Sequence, residues 1–297
     1  MNVIECRNLR KEYKDFIFSD NSFSIEKGRI VGLIGENGAG KTTLINLLLN
    51  KISRDSGDIF IFGKDLAENE VEIKMNTGVV LDECHLPAAF NIKEIEAFMS
   101  KIYTNWNKKE FQRLRQMFHL PLDKKVEGFS RGMKKKLDIA AALSHEASLL
   151  ILDEPTSGLD FTSARDILKI LQKEAEKHGK TILFSTHNMN ELDELVDDII
   201  MLKKGKIVLN DTKENIKRKY FLLEVCEQGL GDIQRKVKIE DMVTEEGKFR
   251  ILMEKSENIL TDSEYKIRQA TLEEIIYIKM KGEEKYEGVS HKRPDSD

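Results

Sequence analysis

Cysteine is scarce in this sequence: there are 3 in 297 residues, at positions 6, 84 and 226. An odd number of thiols so widely spaced argues against a disulfide framework and a zinc site, and fits a reducing cytosol. Long apolar runs are missing as well. The longest uninterrupted ones, such as residues 139–143 and 149–152, fall far short of the roughly 20 residues that span a bilayer as a helix. The opening stretch, MNVIECRNLRKEYKD, carries charges where a secretory signal would place its apolar segment. Excess charge of one sign is absent too: 48 Lys and Arg face 52 Asp and Glu, a net −4. That balance offers no global electrostatic case for nucleic acid. No internal repeat at a fixed period and no sustained heptad pattern occur.

Alternation of strand-like and helical segments is what the sequence does have. Residues 31–34 form a compact apolar run, followed by a glycine-rich loop and the helical KTTLINLLLNK. A short β-rich piece, SGDIFIFGKDL, comes next, and the N-terminal stretch reads as short alternating segments. From residue 91 to 143 the pattern is helical, with apolar residues three and four apart in IKEIEAFMSKIY and KKEFQRLRQMFHL. Strands return at SLLILDE and KTILFSTH, on either side of the helical SARDILKILQKEAEKHG. Buried strands alternating with helices predict an α/β fold with a mostly parallel sheet and a helical insertion. Near residue 210 the character changes. Residues 212–281 read as a small α+β extension with weaker strands at 221–225 and 249–253 and a last helix, TLEEIIYIKMKG. Residues 282–297 read as a solvated tail.

Two motifs carry chemistry on their own residues. GENGAGKTT (Gly35, Glu36, Asn37, Gly38, Ala39, Gly40, Lys41, Thr42, Thr43) has P-loop spacing after a strand and before a helix. Its backbone N–H groups turn toward phosphate oxygens, Lys41 reaches the β- and γ-phosphates, and the Thr42 hydroxyl offers itself to Mg2+. LLILDEP ends an apolar strand in Asp153 and Glu154, where parallel sheets bind ligands. Asp153 suits magnesium through water, and Glu154 suits the polarisation of an attacking water. A third feature is EGFSRGMKKKLDIAAAL. Ser130 occupies an N-cap position and Gly132 admits close approach of a bulky group, so this helix start is a second anion site. The run Lys134, Lys135, Lys136 reads as a solvated helix face, and KENIKRKYF as a surface helix.

The P-loop, FSRGM before LLILDEP, SGLD just after it and STH at the next strand end, in that order, resemble the nucleotide-binding subunit of an ABC transporter. The likeness covers residues 1–211 and implies an ABC cassette with an antiparallel β subdomain and a helical subdomain over about 88–145. It implies ATP and Mg2+ as ligands and a head-to-tail dimer in which Ser130, Arg131, Gly132 and Met133 meet the γ-phosphate held by the other subunit. It further implies adenine stacking on Tyr13, with Phe16 or Phe18 able to share that role. Asp160 falls in the turn through which the two sites communicate, and His187 matches the histidine that contacts the γ-phosphate.

Two elements depart from the family's usual pattern. Asp82 stands where a glutamine is usual; a carboxylate there can ligate Mg2+ or orient water. Arg131 and Met133 replace residues of the usual L-S-G-G-Q, and Arg131 either adds charge near the partner's nucleotide or extends to solvent. These departures are similar to a branch of bacterial ABC-2 exporters of antibiotics and of cytolytic or antimicrobial peptides. That branch implies a separate transmembrane permease, a second ATP-binding subunit, and a place on the cytoplasmic face of the membrane. A soluble ABC-type ATPase acting on ribosomes or DNA, and an ATP-gated module with weak hydrolysis, are the other readings.

Overall fold

The computed structural model describes residues 1–236, 238–245, 247–254 and 267–282. The chain divides into two compact units, Met1–Asn210 and Asp211–Asp297. The first unit opens with a hairpin of β1 (Asn2–Tyr13) and β2 (Phe16–Glu26). These strands are longer than the short alternating segments expected. The reason is local: Asn8 takes a positive φ of 47°, and the pairing slips between Cys6 and Leu9 and again before Lys11. Each slip flips the side-chain alternation, so one long strand reads as several short ones.

The strand β3 (Ile30–Ile34) leads into α1 (Lys41–Leu48), and β4 (Ser56–Ile61) with β5 (Lys64–Asp65) completes an antiparallel sheet ordered β2-β1-β4-β5. After α2 (Glu70–Met75) come β6 (Thr77–Val80), α3 (Ile92–Ile102), α4 (Lys108–Met117) and α5 (Arg131–Leu143). Then follow β7 (Leu149–Asp153), α6 (Phe161–His178), β8 (Thr181–Ser185), α7 (Met189–Leu195), β9 (Asp198–Lys203) and β10 (Lys206–Thr212). The second sheet runs β10-β9-β3-β8-β7-β6, and the pairs from β9 to β6 are all parallel. Every residue of β3, β7 and β8 is buried, as strands covered on both faces require. The core joins both sheets through α1, with Leu44, Leu47 and Leu48 packed among Phe18, Ile61 and Ile151.

Helices α3, α4 and α5 start at side-chain caps: Asn91 and Glu94 form a capping box, Asn107 accepts from the Glu110 N–H, and Ser130 accepts from the Met133 N–H. On α5 two buried positions are charged residues, Lys135 and Asp138. Asp138 accepts the Cys84 thiol at 3.2 Å, and burial pushes its carboxyl up to about 6 despite that bond and the nearby Lys135 and His85.

The second unit holds α8 (Lys213–Lys219), β11 (Tyr220–Cys226), α9 (Glu227–Lys236), β12 (Ile239–Glu245), β13 (Lys248–Glu254), β14 (Ile267–Gln269) and α10 (Leu272–Lys281). Its antiparallel sheet runs β12-β13-β11-β14, around a core of Leu223, Val225, Ile233, Ile251 and Met253. The two weak strands and final helix read from the sequence are there as β11, β13 and α10, with further elements between them. The expected tail, beyond Gly282, lies outside the described residues.

Two substitutions test this framework. Lys204 and Gly205 both have positive φ in the turn between β9 and β10, and a Cβ on Gly205 would lie 1.9 Å from the Ile17 carbonyl oxygen. Gly205→Ala is expected to cost about 2–4 kcal/mol and to lower Tm by roughly 5–15 °C in a thermal melt. For Asp138 the folded pKa lies above the unfolded one. Its charge therefore destabilises the fold as pH rises from about 4 through about 6, and fully above that window. Asp138→Asn should then raise stability at pH 8 by on the order of 2 kcal/mol and leave it unchanged near pH 3, as read from Tm against pH.

Candidate functional site

The parallel register decides which residues meet. Leu33 and Asp153 both lie beside Ser185, and Val80 lies beside Leu152, so β3, β6, β7 and β8 end at one level. The segments that leave those ends carry Gly35, Asp82, Glu154 and His187. Those after β3, β6 and β7 border one open cleft of about 600 Å3, and His187, outside its lining, lies against Glu154.

From β3 the chain turns through residues 35–40 into α1. Gly40 is the N-cap of α1 with φ 109°, a conformation open to glycine, and a Cβ there would sit 3.0 Å from the Phe16 ring. Asn37, Gly38, Gly40, Lys41, Thr42 and Thr43 line the cleft, while Ala39 is buried beneath it. The Ala39 carbonyl accepts from the Gly205 N–H at 3.0 Å, and the Glu36 carbonyl accepts from the Ala39 N–H at 3.1 Å. The Lys41 ammonium donates to the carbonyls of Gly35 at 2.6 Å and Glu36 at 3.1 Å. Burial lowers its pKa, and Glu154 and Asp153 oppose that shift. Tyr13 and Phe16, with ring centres 6.3 Å apart, form the aromatic end of the cleft. Phe18, the other aromatic considered, is fully buried in the core and does not line it.

The acidic end is held by buried polar side chains. The Ser185 hydroxyl donates to Asp153 Oδ1 at 2.5 Å and accepts the Glu154 N–H at 2.9 Å. Glu154 has φ 46°, and its Oε1 lies 3.3 Å from His187 Nδ1. The buried Glu191 carboxylate accepts from Thr156 Oγ1 at 2.7 Å, Thr186 Oγ1 at 2.6 Å and Asn188 Nδ2 at 3.3 Å. It thus fastens the loop after β7 to the loop after β8.

Asp82 borders the same cleft and pairs with Arg131 at 2.8 Å, so Arg131 extends neither freely to solvent nor away from its own chain. A second cleft, of about 490 Å3, lies between Asp82, Arg131 and Lys134. Lys135 departs from the reading of its run as a solvated face: it is 2% exposed. Its ammonium donates to the carbonyls of Leu81 at 2.8 Å, Asp82 at 3.3 Å and Asp153 at 3.4 Å, and burial lowers its pKa.

Ser130, Arg131, Gly132 and Met133 lie at the start of α5, outside the residues that line the phosphate-loop cleft of their own chain. Gly132 packs against the following turn, with Leu159 3.2 Å from the place of a Cβ. Asp160 is also outside that cleft. It caps α6, accepting from the Ser163 N–H at 2.9 Å and the Ser163 hydroxyl at 2.6 Å, which lowers its pKa. Sequence reasoning missed Ser185, Thr186 and Glu191 as supports, although the first two stand inside STH, and it missed Lys135, whose burial no local pattern reveals.

The ABC transporter family matches residues 18–157. The ABC transporter ATP-binding protein NatA of Bacillus subtilis is 34% identical over 224 residues, covering 73% of this chain and 91% of that protein. The bacitracin transport ATP-binding protein BcrA of Bacillus licheniformis is 33% identical over 232 residues, covering 76% of each. Among solved structures, a dimeric ATP-binding cassette in a post-hydrolysis state with ADP and Pi shares the fold, at TM-score 0.64 and 23% identity. The match covers 70% of this chain and 98% of that one. With the phosphate loop and the two acids at the ends of adjoining parallel strands, the chain belongs to the ATP-binding subunits of ABC transporters, a family of P-loop ATPases.

Proposed function

We propose that this ATPase closes as a dimer around two Mg·ATP and drives a separate membrane permease, with antibiotics or peptides as the exported cargo. One observation carries the dimer. The start of α5 has an anion site's chemistry, yet it lies outside the phosphate-loop cleft of its own chain. A second copy, turned head to tail, would bring its ATP there. Ser130, Arg131, Gly132 and Met133 then meet the partner's γ-phosphate, and the turn ending in Asp160 lies beside them.

Within one chain, adenine stacks on Tyr13 beside Phe16, and the loop N–H groups with Lys41 hold the phosphates. Thr42 and Asp153 supply oxygen donors that fit magnesium, with Asp82 across the cleft, and the bound ion would offset phosphate charge. Glu154 takes a proton from the attacking water, while His187, 3.3 Å away, contacts the γ-phosphate. Nucleotide binding and hydrolysis then bias the permease between conformations.

The transport reading rests on the relatives, whose names give antibiotic transport for one of them. Among the described residues no helix is long and apolar enough to cross a membrane, so the path for cargo falls to the other chain. The place of work is the cytoplasmic face of the membrane.

Glu154→Gln is expected to slow phosphate release by at least about 100-fold. The variant should accumulate as a dimer in ATP, seen by light scattering, and should capture a polytopic membrane protein in roughly equal amount from solubilised membranes. Unchanged phosphate release would remove Glu154 from its role. Capture of ribosomal proteins or DNA-bound factors, with no membrane partner, would overturn the transport reading and leave the ATPase standing.

A further inference from the structure

We propose that Ser185 is a positioning residue for ATP hydrolysis: one hydroxyl at the end of β8 sets the geometry of both acids at the end of β7. The strand itself gives no other reason for a polar group here. Ile182, Leu183 and Phe184 precede it, all fully buried, and Ser185 is 0% exposed. A hydroxyl in such a place is costly unless its hydrogen bonds are made.

Both partners of that hydroxyl belong to the acidic end of the cleft. Register places Ser185 directly beside Asp153, and the O–H donates to Asp153 Oδ1 at 2.5 Å, a short charge-assisted bond. That bond fixes the rotation of the carboxylate and leaves Oδ2 as the oxygen for the cleft. The lone pairs of the same oxygen accept the Glu154 N–H at 2.9 Å.

The second bond matters because of the backbone. Glu154 sits at φ 46°, a left-handed conformation that L residues with long side chains rarely adopt. The turn takes its N–H beyond the last paired residue of β7, and without the serine that half-buried N–H would lose its acceptor. The hydroxyl stabilises the kink, and the kink aims Glu154 so that Oε1 comes 3.3 Å from His187 Nδ1. Glu191 braces the next part of the same two loops through Thr156 and Thr186. Ser185 differs from that brace in touching Asp153 and Glu154 themselves.

The test uses the full chain with Ser185→Ala and Ser185→Thr, each alone and Ser185→Ala also with Glu154→Gln. The readouts are kcat, KM for ATP, Tm, and the affinity for a fluorescent ATP analogue with Mg2+ and with EDTA. Ser185→Ala should lower kcat about tenfold or more while KM stays within about twofold. Affinity in EDTA should be unchanged, and the tightening brought by Mg2+ should shrink about fivefold, because Asp153 has lost its fixed orientation. Ser185→Thr, which keeps the hydroxyl, should retain kcat within about threefold. In the Glu154→Gln background Ser185→Ala should cost less than it does alone, since part of its effect passes through Glu154. A lower Tm with kcat and Mg2+ dependence unchanged would make Ser185 structural only and overturn the proposal. So would a full, additive loss on top of Glu154→Gln. If the added methyl of Thr itself disturbs packing, that double variant and the EDTA comparison still decide.

Discussion

Parallel strands that pair in one register end at one level, and the chemistry of this protein depends on that constraint. Positions 33, 80, 153 and 185 are far apart in the chain, yet hydrogen-bond pairing across β3, β8, β7 and β6 brings their strand ends into line. The pairs are parallel, so each connection must cross over, and the crossovers supply the helices that bury both faces. One such helix, α1, starts at the phosphate loop, and its buried face joins the two sheets into a single core. The loop is therefore held at both ends, by β3 before it and by a helix that cannot shift without opening the core.

Alignment alone would leave four mobile loops at the strand ends. Three buried polar side chains tie them together. Ser185 joins β8 to the turn after β7; Glu191 joins the loops after β7 and β8; Lys135 joins α5 to the carbonyls of Leu81, Asp82 and Asp153. Each would cost stability if its donors or acceptors were unmet, and each has them met by backbone or side-chain groups. Lys135 shows the balance clearly. Burial disfavours its charge, and three carbonyl oxygens compensate in the place of water. The helix start at Ser130 is in this way mechanically continuous with the loop of Asp82 and the strand end of Asp153.

Much of this was legible in the sequence because it is encoded locally. GENGAGKTT, LLILDEP and STH are contiguous, and each sits at the end of an apolar run whose composition fixes it as a strand. What was not legible depends on pairing at long range or on departures from period two. The slips around Asn8 disguised the length of β1 and β2. β12 is half-buried along most of its length, so it lacks the alternation that marks a one-sided strand. Lys134, Lys135 and Lys136 look equivalent in a row, and helix geometry sends only the middle one inward.

The two departures from the family's usual pattern are a single feature in three dimensions. A carboxylate in place of the usual glutamine adds negative charge beside a cleft built for phosphate, where it would be unfavourable alone. The arginine at the start of α5 adds the opposite charge, and Asp82 and Arg131 meet at 2.8 Å although 49 positions separate them. Both side chains are more than half exposed, so the contact adds little to folding stability. Its worth is electrostatic balance: it leaves the charge around the phosphate loop close to what a neutral pair would give. A weak, solvent-screened pair is also the kind that an incoming phosphate or cation can exchange at small cost. The same exchange would be prohibitive for Lys135, whose partners are buried. The site thus combines a fixed interior with one readily broken contact at its rim, and that contact joins the loop after β6 to the start of α5.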